Sequence, residues 1–521
     1  MMQYLYLFYG YFVFFYSLSL IISYVMLIYF AQRNIQKQKR WTREYVRQVV
    51  EASPYTPGVS IVAPAYNEGV NIVDNVTSLL RQNYPKFEVI IVNDGSTDDT
   101  LEKLVEHFKL VEVPYDYVYH IHCQPIKRIF RSTDPQFDKL TVVDKINGGT
   151  KADSVNGGIN VVKYPYFINT DADCILSRDA IFNCIFPILL DHEVIAVSGT
   201  MSMSNGFTFN EDNEIETYKA SKNPLALFQD LEYKRSFLLG KLGWGYVNCM
   251  TNVSGGYGLF DTKVVLASGG YSFDSFAEDM DILYRMISYC CNFGRPYRVV
   301  QITQTCCWTE GPSTPRVLMR QRTRWGRGLI QLLHQHHDMI LNPRYRKLGM
   351  ITLPFVTSFE FLAPIIEIIG FCMMVYLTLT GGVNWGTFWI VFLMVYIFAV
   401  MLSIFVVLYD HMVGGSYTSS KSYWPLLLAA IVEPFTFHPF ITFCSIRGYL
   451  KYIFNTKATW GTMTRKRYNK KGDNKPQKAS GGGKGNSADN EPESLWQPES
   501  EGNVVTPAPA PSGNLHTEPA S

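Results

Sequence analysis

YFINTDADCIL (Tyr166–Leu176) is the stretch on which the reading of the chain turns. The apolar run Tyr166, Phe167, Ile168 has the composition of a buried strand, and Asp171 and Asp173 follow on its end. If extended backbone continues through them, residues two apart point to one face, so the two carboxylates share it. Carboxylates held together repel unless a positive charge sits between them. The alternative is a polar turn after a strand, because turns favour aspartate. The flanking segments decide between the two.

Those segments repeat the pattern. VSIVAPAY (59–66) and FEVIIVNDG (87–95) are short β-type runs. A helical pattern from Val70 to Gln82 follows the first, and a helix seeded by Ser96, Thr97 and Asp98 follows the second. Strand, turn and helix alternate from about residue 58 to 349, which predicts an α/β domain with a parallel or mixed sheet. Ligands of such sheets collect beyond the carboxyl ends of the strands. Asp94 stands at such an end, where a carboxylate can accept hydrogen bonds from a base or ribose. Asp98 and Asp99, further on, read as partners of the helix dipole.

Three further segments carry chemistry-bearing residues. INGGTKADSVNGGI (146–159) is glycine-rich, but the spacing of a phosphate-binding P-loop is not met around Lys151. Lys151 is either a solvated surface residue or a partner for a nucleotide's negative charge. In SFAEDMDILYRMI (275–287), Ala277 to Asp279 reads as a helix start, where acids favour the dipole. A carboxylate on a cleft-facing helix start can also serve as a general base. Asp281 and Arg285, four apart, are expected to pair with each other. In LMRQRTRWGRGLIQLL (318–333), a helix puts Gln321 on one face with Arg324 and Trp325. That face combines an amide, a guanidinium suited to phosphate oxygens and an indole suited to stacking on a sugar.

Apolar residues concentrate at both ends of the 521-residue chain. Tyr4 to Ala31 carries no charge and is long enough to span a bilayer; its length and the lack of a preceding basic segment argue against a cleaved signal peptide. The basic flank from Arg33 to Arg47 places the following linker, residues 33–57, in the cytoplasm. Two more spanning segments lie within 350–410, and Glu360 and Glu367 sit among their apolar residues. Within 411–469, the apolar stretch 424–444 contains Pro425, Pro434 and Pro439 together with Glu433 and His438, and a basic segment follows it. That charge favours a proline-broken, interfacial segment over a crossing one. Residues 470–521 are expected to be disordered.

A net charge of +2, with 18% charged residues, gives no signature of a nucleic-acid binder, and RKRYNKK beside an apolar segment suits anionic lipid headgroups. The ten cysteines include no C-x-x-C pair, which fits neither a zinc ribbon nor a secreted disulfide framework. The HQHH run at His334 to His337 lacks a further nearby ligand for metal.

Taken in this order, VNDGSTDDT (92–100), DAD (171–173), AED (277–279) and QRTRW (321–325) resemble the motifs of the processive, inverting membrane glycosyltransferases that include cellulose, hyaluronan and poly-N-acetylglucosamine synthases. The match runs from about Val59 to Gly328, with Ala277 in place of the family's usual threonine. The resemblance implies a GT-A type, Rossmann-like mixed sheet carrying α-helical transmembrane segments, in a multi-pass cell-membrane protein with a cytoplasmic catalytic domain. It further implies a UDP-sugar donor bound by Glu68, Asp94, Lys151, Asp171 and Arg324, and a Mg²⁺ or Mn²⁺ ion held by Asp173 and Asp171. Asp279, with Glu278 beside it, would supply the catalytic base. Trp325 and Gln321 would hold a polysaccharide acceptor whose product is exported. Membrane lipid and accessory export subunits are then the expected partners, and nucleic acid is not. Two other readings keep some of these residues: addition of a single sugar to a lipid or protein acceptor, and a catalytically silent sugar-nucleotide sensor.

Overall fold

The computed structural model describes residues 2–39, 43–210, 215–413, 417 and 419–455. The expected tail at 470–521 and the RKRYNKK segment lie outside the described residues. All ten cysteines are free thiols.

Runs rich in valine and isoleucine become strands, because branched side chains pack well on a pleated surface. They are β1 (Val59–Ala65), β2 (Phe87–Asn93), β3 (Leu110–Glu112), β4 (Ile126–Ser132), β5 (Leu140–Lys145), β6 (Tyr166–Thr170) and β7 (Ile175–Leu176). After these come β8 (Val194–Met203), β9 (Thr208–Phe209), β10 (Ile215–Thr217), β11 (Tyr257–Asp261) and β12 (Arg298–Thr309). One ten-stranded sheet has the order β3-β4-β5-β2-β1-β6-β11-β8-β12-β7, and β9 pairs separately with β10. The centre, β5-β2-β1-β6, is parallel, whereas β4 and β11 run against their neighbours. The expected mixed sheet is therefore present.

Alternation along β1 sends Ile61 and Ala63 into one core and Val62 into the other, so helices cover both faces. Register pairs Ala65 with Asn93 and Asn93 with Asp144, which brings the carboxyl ends of β1, β2 and β5 level. The residues that follow those ends gather along one edge.

One local expectation needs correction. The helix after β2 spans Thr100–His107 and is not seeded at Ser96; the Ser96 hydroxyl instead accepts the Asn67 amide at 3.0 Å. Asp98 stands at the helix start as expected: its carboxylate accepts the Thr100 amide at 3.1 Å and the Thr100 hydroxyl at 2.5 Å, and it also takes the Gly69 amide at 3.1 Å, locking the loop after β1 to the loop after β2.

Four helices among the described residues are long and apolar enough to cross a membrane: Gly10–Lys39, Leu348–Leu379, Trp385–Met412 and Ser420–Ile453. The last contains the segment expected to be broken by proline. It forms one continuous α-helix, Trp424–Ile453, with Pro434 and Pro439 inside it. Each proline removes one backbone donor, and packing against neighbouring helices keeps the rest of the helix intact. Gly448 lies so close to the helix Pro315–Gln335 that an added Cβ would stand 2.5 Å from the Thr323 carbonyl oxygen.

A second helix, Pro224–Lys234, continues as a π-helix through Arg235–Lys241 and fastens the sheet domain to the apolar helices. Lys234 meets Asp410 at 3.0 Å, and Arg235 forks onto Glu433 at 2.8 and 2.7 Å. Glu232 accepts a matching fork from Arg322 at 2.9 and 2.5 Å, and Asp230 takes the Tyr417 hydroxyl. Glu433 and Glu367 thus both have protein partners, the latter in His438 at 3.1 Å and Thr442 at 2.7 Å.

Candidate active site

Asp94, just past β2, is buried, and its carboxylate accepts Lys145 Nζ at 2.5 Å and the Gly148 amide at 3.1 Å. Lys145, the last residue of β5, is fully buried and also forms an ion pair with Asp153. An ammonium between two carboxylates offsets the cost of burying all three. Sequence reading missed Lys145 and Asp153. The available signal was a lysine ending the strand LTVVDK, three places before the pair Gly148 and Gly149. Glu68 is buried one loop away, where its amide donates to Thr100 Oγ1 at 2.9 Å.

Asp171 and Asp173 do converge, though not by extended backbone. Strand β6 stops at Thr170, and the Cys174 amide donates to the Asp171 carbonyl at 3.1 Å, closing a turn. The turn achieves what strand geometry was expected to do. Carboxylate oxygens of both aspartates and the Cys174 sulfur lie within 4.8 Å of one another. The positive charge that the pair requires is Lys151, the first residue of the helix Lys151–Ile159, in an ion pair with Asp171. Burial pulls the Lys151 ammonium down, but the carboxylates of Asp171 and Glu278 outweigh it and raise its pKa.

Glu278 and Asp279 open the helix Glu278–Asn292, as expected, with Ala277 at the cap position. Asp279 is half-buried and accepts the Asn252 side-chain amide at 2.9 Å. Burial raises the pKa of Glu278, Asp279 adding to the rise while Arg324 and Lys151 oppose it.

The loop Asn252–Gly256, which sequence reading did not single out, joins the two halves. Its Gly255 carbonyl accepts Lys151 Nζ at 2.6 Å, its Gly256 carbonyl accepts the Thr170 hydroxyl at 3.0 Å, and Asn252 holds Asp279. At Gly256 an added Cβ would stand 2.7 Å from Met201 Cε, the end of a flexible side chain, and 3.4 Å from Asp171 Oδ2.

The QRTRW segment lies on the helix Pro315–Gln335 as expected. Trp325 is 39% exposed, and the Arg322 guanidinium lies 4.0 Å from its ring centre. Gln321, one turn earlier, and Arg324 are half-buried, and Arg324 acts on Glu278 by charge. The same helix clamps the loop ahead of the acidic pair. Gln331 donates to the Asp274 carbonyl at 2.6 Å and accepts the Phe276 amide at 3.1 Å, while Arg327 lies 4.5 Å over the Phe276 ring. A Cβ on Gly328 would stand 2.9 Å from the Phe276 carbonyl carbon and 3.0 Å from Ala277 Cβ. His336 bonds Asp281 at 2.9 Å, and Asp281 also pairs with Arg285 at 2.7 Å. The HQHH run is thereby used in structure, and among the described residues the one group of clustered metal-ligand types is Asp171, Asp173 and Cys174.

A mixed α/β sheet with acidic residues converging beyond its parallel strand ends is the GT-A glycosyltransferase architecture. Sequence models of "Glycosyl transferase family 2" and "Glycosyl transferase family group 2" match residues 60–237 and 215–408. The chain belongs to glycosyltransferase family 2. It is 25% identical over 327 residues to a poly-beta-1,6-N-acetyl-D-glucosamine synthase of Staphylococcus epidermidis, covering 63% of this chain and 66% of that one. A synthase of the same name from Staphylococcus aureus is 26% identical over 276 residues, covering 53% and 55%. The chain therefore spans between half and two thirds of the length of these relatives. Among solved structures, a mannosyltransferase from Pyrobaculum calidifontis in complex with GDP-Man and Mn²⁺ superposes with a TM-score of 0.47 at 17% identity, covering 85% of this chain and 99% of that one. S. aureus TarS in complex with UDP-GlcNAc superposes with a TM-score of 0.34 at 14% identity, covering 59% and 75%.

Proposed function

We propose that this chain is a membrane-embedded inverting transferase that adds N-acetylglucosamine from UDP-N-acetylglucosamine to the end of a growing β-linked polysaccharide. The observation that carries it is the loop Asn252–Gly256, which holds Lys151 beside Asp171 on one side and Asp279 on the other. A diphosphate site and a base are thus spaced by one short loop. Both relatives' names supply the choice of sugar and the β-linked product.

In this reading Asp94 and Glu68 bind the uridine end, and Lys151 and Arg324 meet the diphosphate. Asp279 takes the proton of the acceptor hydroxyl, whose oxygen forms a bond to the anomeric carbon as the bond to UDP breaks on the opposite face. UDP leaves with the bonding electron pair, and the single displacement inverts the centre. Glu278, whose pKa burial raises while Arg324 and Lys151 oppose the rise, stands beside those two cations. Trp325 stacks on the acceptor sugar, with Gln321 beside it.

Asp171 and Asp173 fit a hard divalent cation such as Mg²⁺ or Mn²⁺, since their oxygens converge and the soft sulfur of Cys174 is buried behind them. Such an ion would supply positive charge against the departing diphosphate. The sheet domain lies on the cytoplasmic side, and the helix Trp424–Ile453, long and apolar enough to cross, packs Ala429, Glu433, Phe437, Cys444 and Tyr449 inward while Phe435, Phe443 and Leu450 stay exposed. Processive addition and export, with or without accessory subunits, follow from the same reading.

The test is UDP release by the purified chain in nanodiscs with UDP-N-acetylglucosamine, UDP-glucose or UDP-glucuronate, each with Mg²⁺ or Mn²⁺. Turnover of the first with a high-molecular-weight product is expected. Turnover with only one sugar added per acceptor would replace polymerisation by single addition.

A further inference from the structure

Asp279 is delivered by residues 268–277, a strap between the helices Thr262–Ala267 and Glu278–Asn292. Gly269 and Gly270 turn the chain into it with φ of 88° and 71°, conformations that favour glycine. After that turn, both backbone polar groups of Tyr271 meet one side chain. Asn156 accepts the Tyr271 amide through Oδ1 at 2.8 Å, and its Nδ2 donates to the Tyr271 carbonyl at 2.9 Å and to the His122 carbonyl at 3.2 Å. Asn156 is 1% exposed, so each of these groups depends on the others for a partner.

Position shows what the fork holds together. Asn156 lies on the helix Lys151–Ile159, whose first residue pairs with Asp171. One short helix therefore carries both Lys151 and the holder of the strap that ends at Asp279. The Tyr271 side chain adds a second tie. Asn169 Nδ2 lies 3.4 Å from the Tyr271 hydroxyl and 3.4 Å from the Gly255 carbonyl, which also accepts Lys151. Gln331 takes the far end of the strap at Asp274 and Phe276.

The next turn of the same helix supplies a contrast. Asn160, at its C-terminal cap, is buried as well. Its Oδ1 accepts the amides of His120 and Ile121, both at 3.0 Å, and its Nδ2 donates to the Ile121 carbonyl at 2.8 Å. None of these partners lies in the strap.

We propose that Asn156 is a positioning residue: by holding Tyr271 it sets the distance between Lys151 at the diphosphate and Asp279 at the acceptor hydroxyl, so that attack and departure fall in line. The inference rests on the transferase reading above and adds a residue that lies outside the four motifs.

The test compares Asn156→Ala with Asn160→Ala in the full chain in nanodiscs, with UDP-N-acetylglucosamine as donor and Mg²⁺ or Mn²⁺. Each removes one buried side-chain amide, so both should lower thermal stability to a similar extent. Only Asn156→Ala should lose turnover, since a displaced base costs kcat roughly 10²-fold, while donor KM and UDP affinity stay unchanged. Asn160→Ala keeps kcat close to that of the wild type. If Asn156→Ala does not fold, the isosteric Asn156→Asp, which keeps an acceptor for the Tyr271 amide but loses the donor to the carbonyls, is measured with the same expectation. Equal losses of kcat in the Asn156 and Asn160 variants overturn the proposal, and so does an unchanged kcat in the Asn156 variant. A rise in donor KM with kcat intact also overturns it, by moving Asn156 to the nucleotide site. Absence of UDP release from the wild-type chain with every donor overturns the transferase reading instead, and this inference with it.

Discussion

On the side of the cleft where we propose that the nucleotide binds, charges meet opposite charges within a few strands of the sheet: Lys145 between Asp94 and Asp153, and Lys151 against Asp171. On the side of the apolar helices, Lys241 is buried with no hydrogen-bond acceptor of its own among the described residues, and Trp325 stands 39% exposed beside Arg322. One side is held rigid by its own ion pairs, as suits a donor of fixed shape. The other keeps polar and aromatic groups uncommitted, as suits a chain end that must move on after each addition. The difference separates residues that hold from residues that react.

Removing the reacting group should have the largest effect. Asp279→Asn should cut UDP release by roughly 10²- to 10⁴-fold, the range for loss of a general base, while UDP binding persists. Loss of UDP binding as well would make Asp279 part of the nucleotide site. Chelation should then separate the two sides. EDTA, or Asp173→Asn, is expected to abolish turnover that Mg²⁺ or Mn²⁺ restores only in the wild type, and turnover indifferent to EDTA would remove the cation from the account.

The fastening helix tests the comparison at a distance. Glu433→Gln leaves Arg235 with a half-satisfied fork in a buried setting and should destabilise the chain by about 3 kcal/mol, read as earlier thermal inactivation. Gly328→Ala should displace the loop before Ala277 and cost up to about 10²-fold in turnover, with donor KM nearly unchanged.

The smallest effect concerns Glu278. Its pKa is raised in the folded chain, so ionisation costs the folded state stability as pH rises through the carboxyl's ordinary 4.5. Glu278→Gln removes that cost. Slightly higher stability near neutral pH, with reduced activity, is expected, and a clear loss of stability would mean that the ionised carboxylate holds Arg324 and Lys151 by more than burial costs.

The nucleotide side was legible in the sequence because its residues stand at the ends of strands, and period-two apolar runs announce those ends. Asp94 and Asp171 could be placed that way, and Glu278 by its place at a helix start. The reason for the approach of Asp171 and Asp173 was still misread, because a turn and a strand both bring alternate residues together. On the other side the pairs are separated by long stretches of chain. Arg235 meets Glu433, and Gln331 holds Phe276, through contacts that no local pattern marks. Lys241 sits in LLGKLGWG, where nothing but burial, visible only in the fold, sets it apart from an ordinary surface lysine.

One measurement bears most directly on the central claim that a base and a diphosphate site face each other across Asn252–Gly256. UDP affinity and UDP release from UDP-N-acetylglucosamine should be recorded on the same nanodisc preparations of wild type and Asp279→Asn. The account predicts equal UDP affinity and release in the wild type alone. Equal release from both proteins would contradict it.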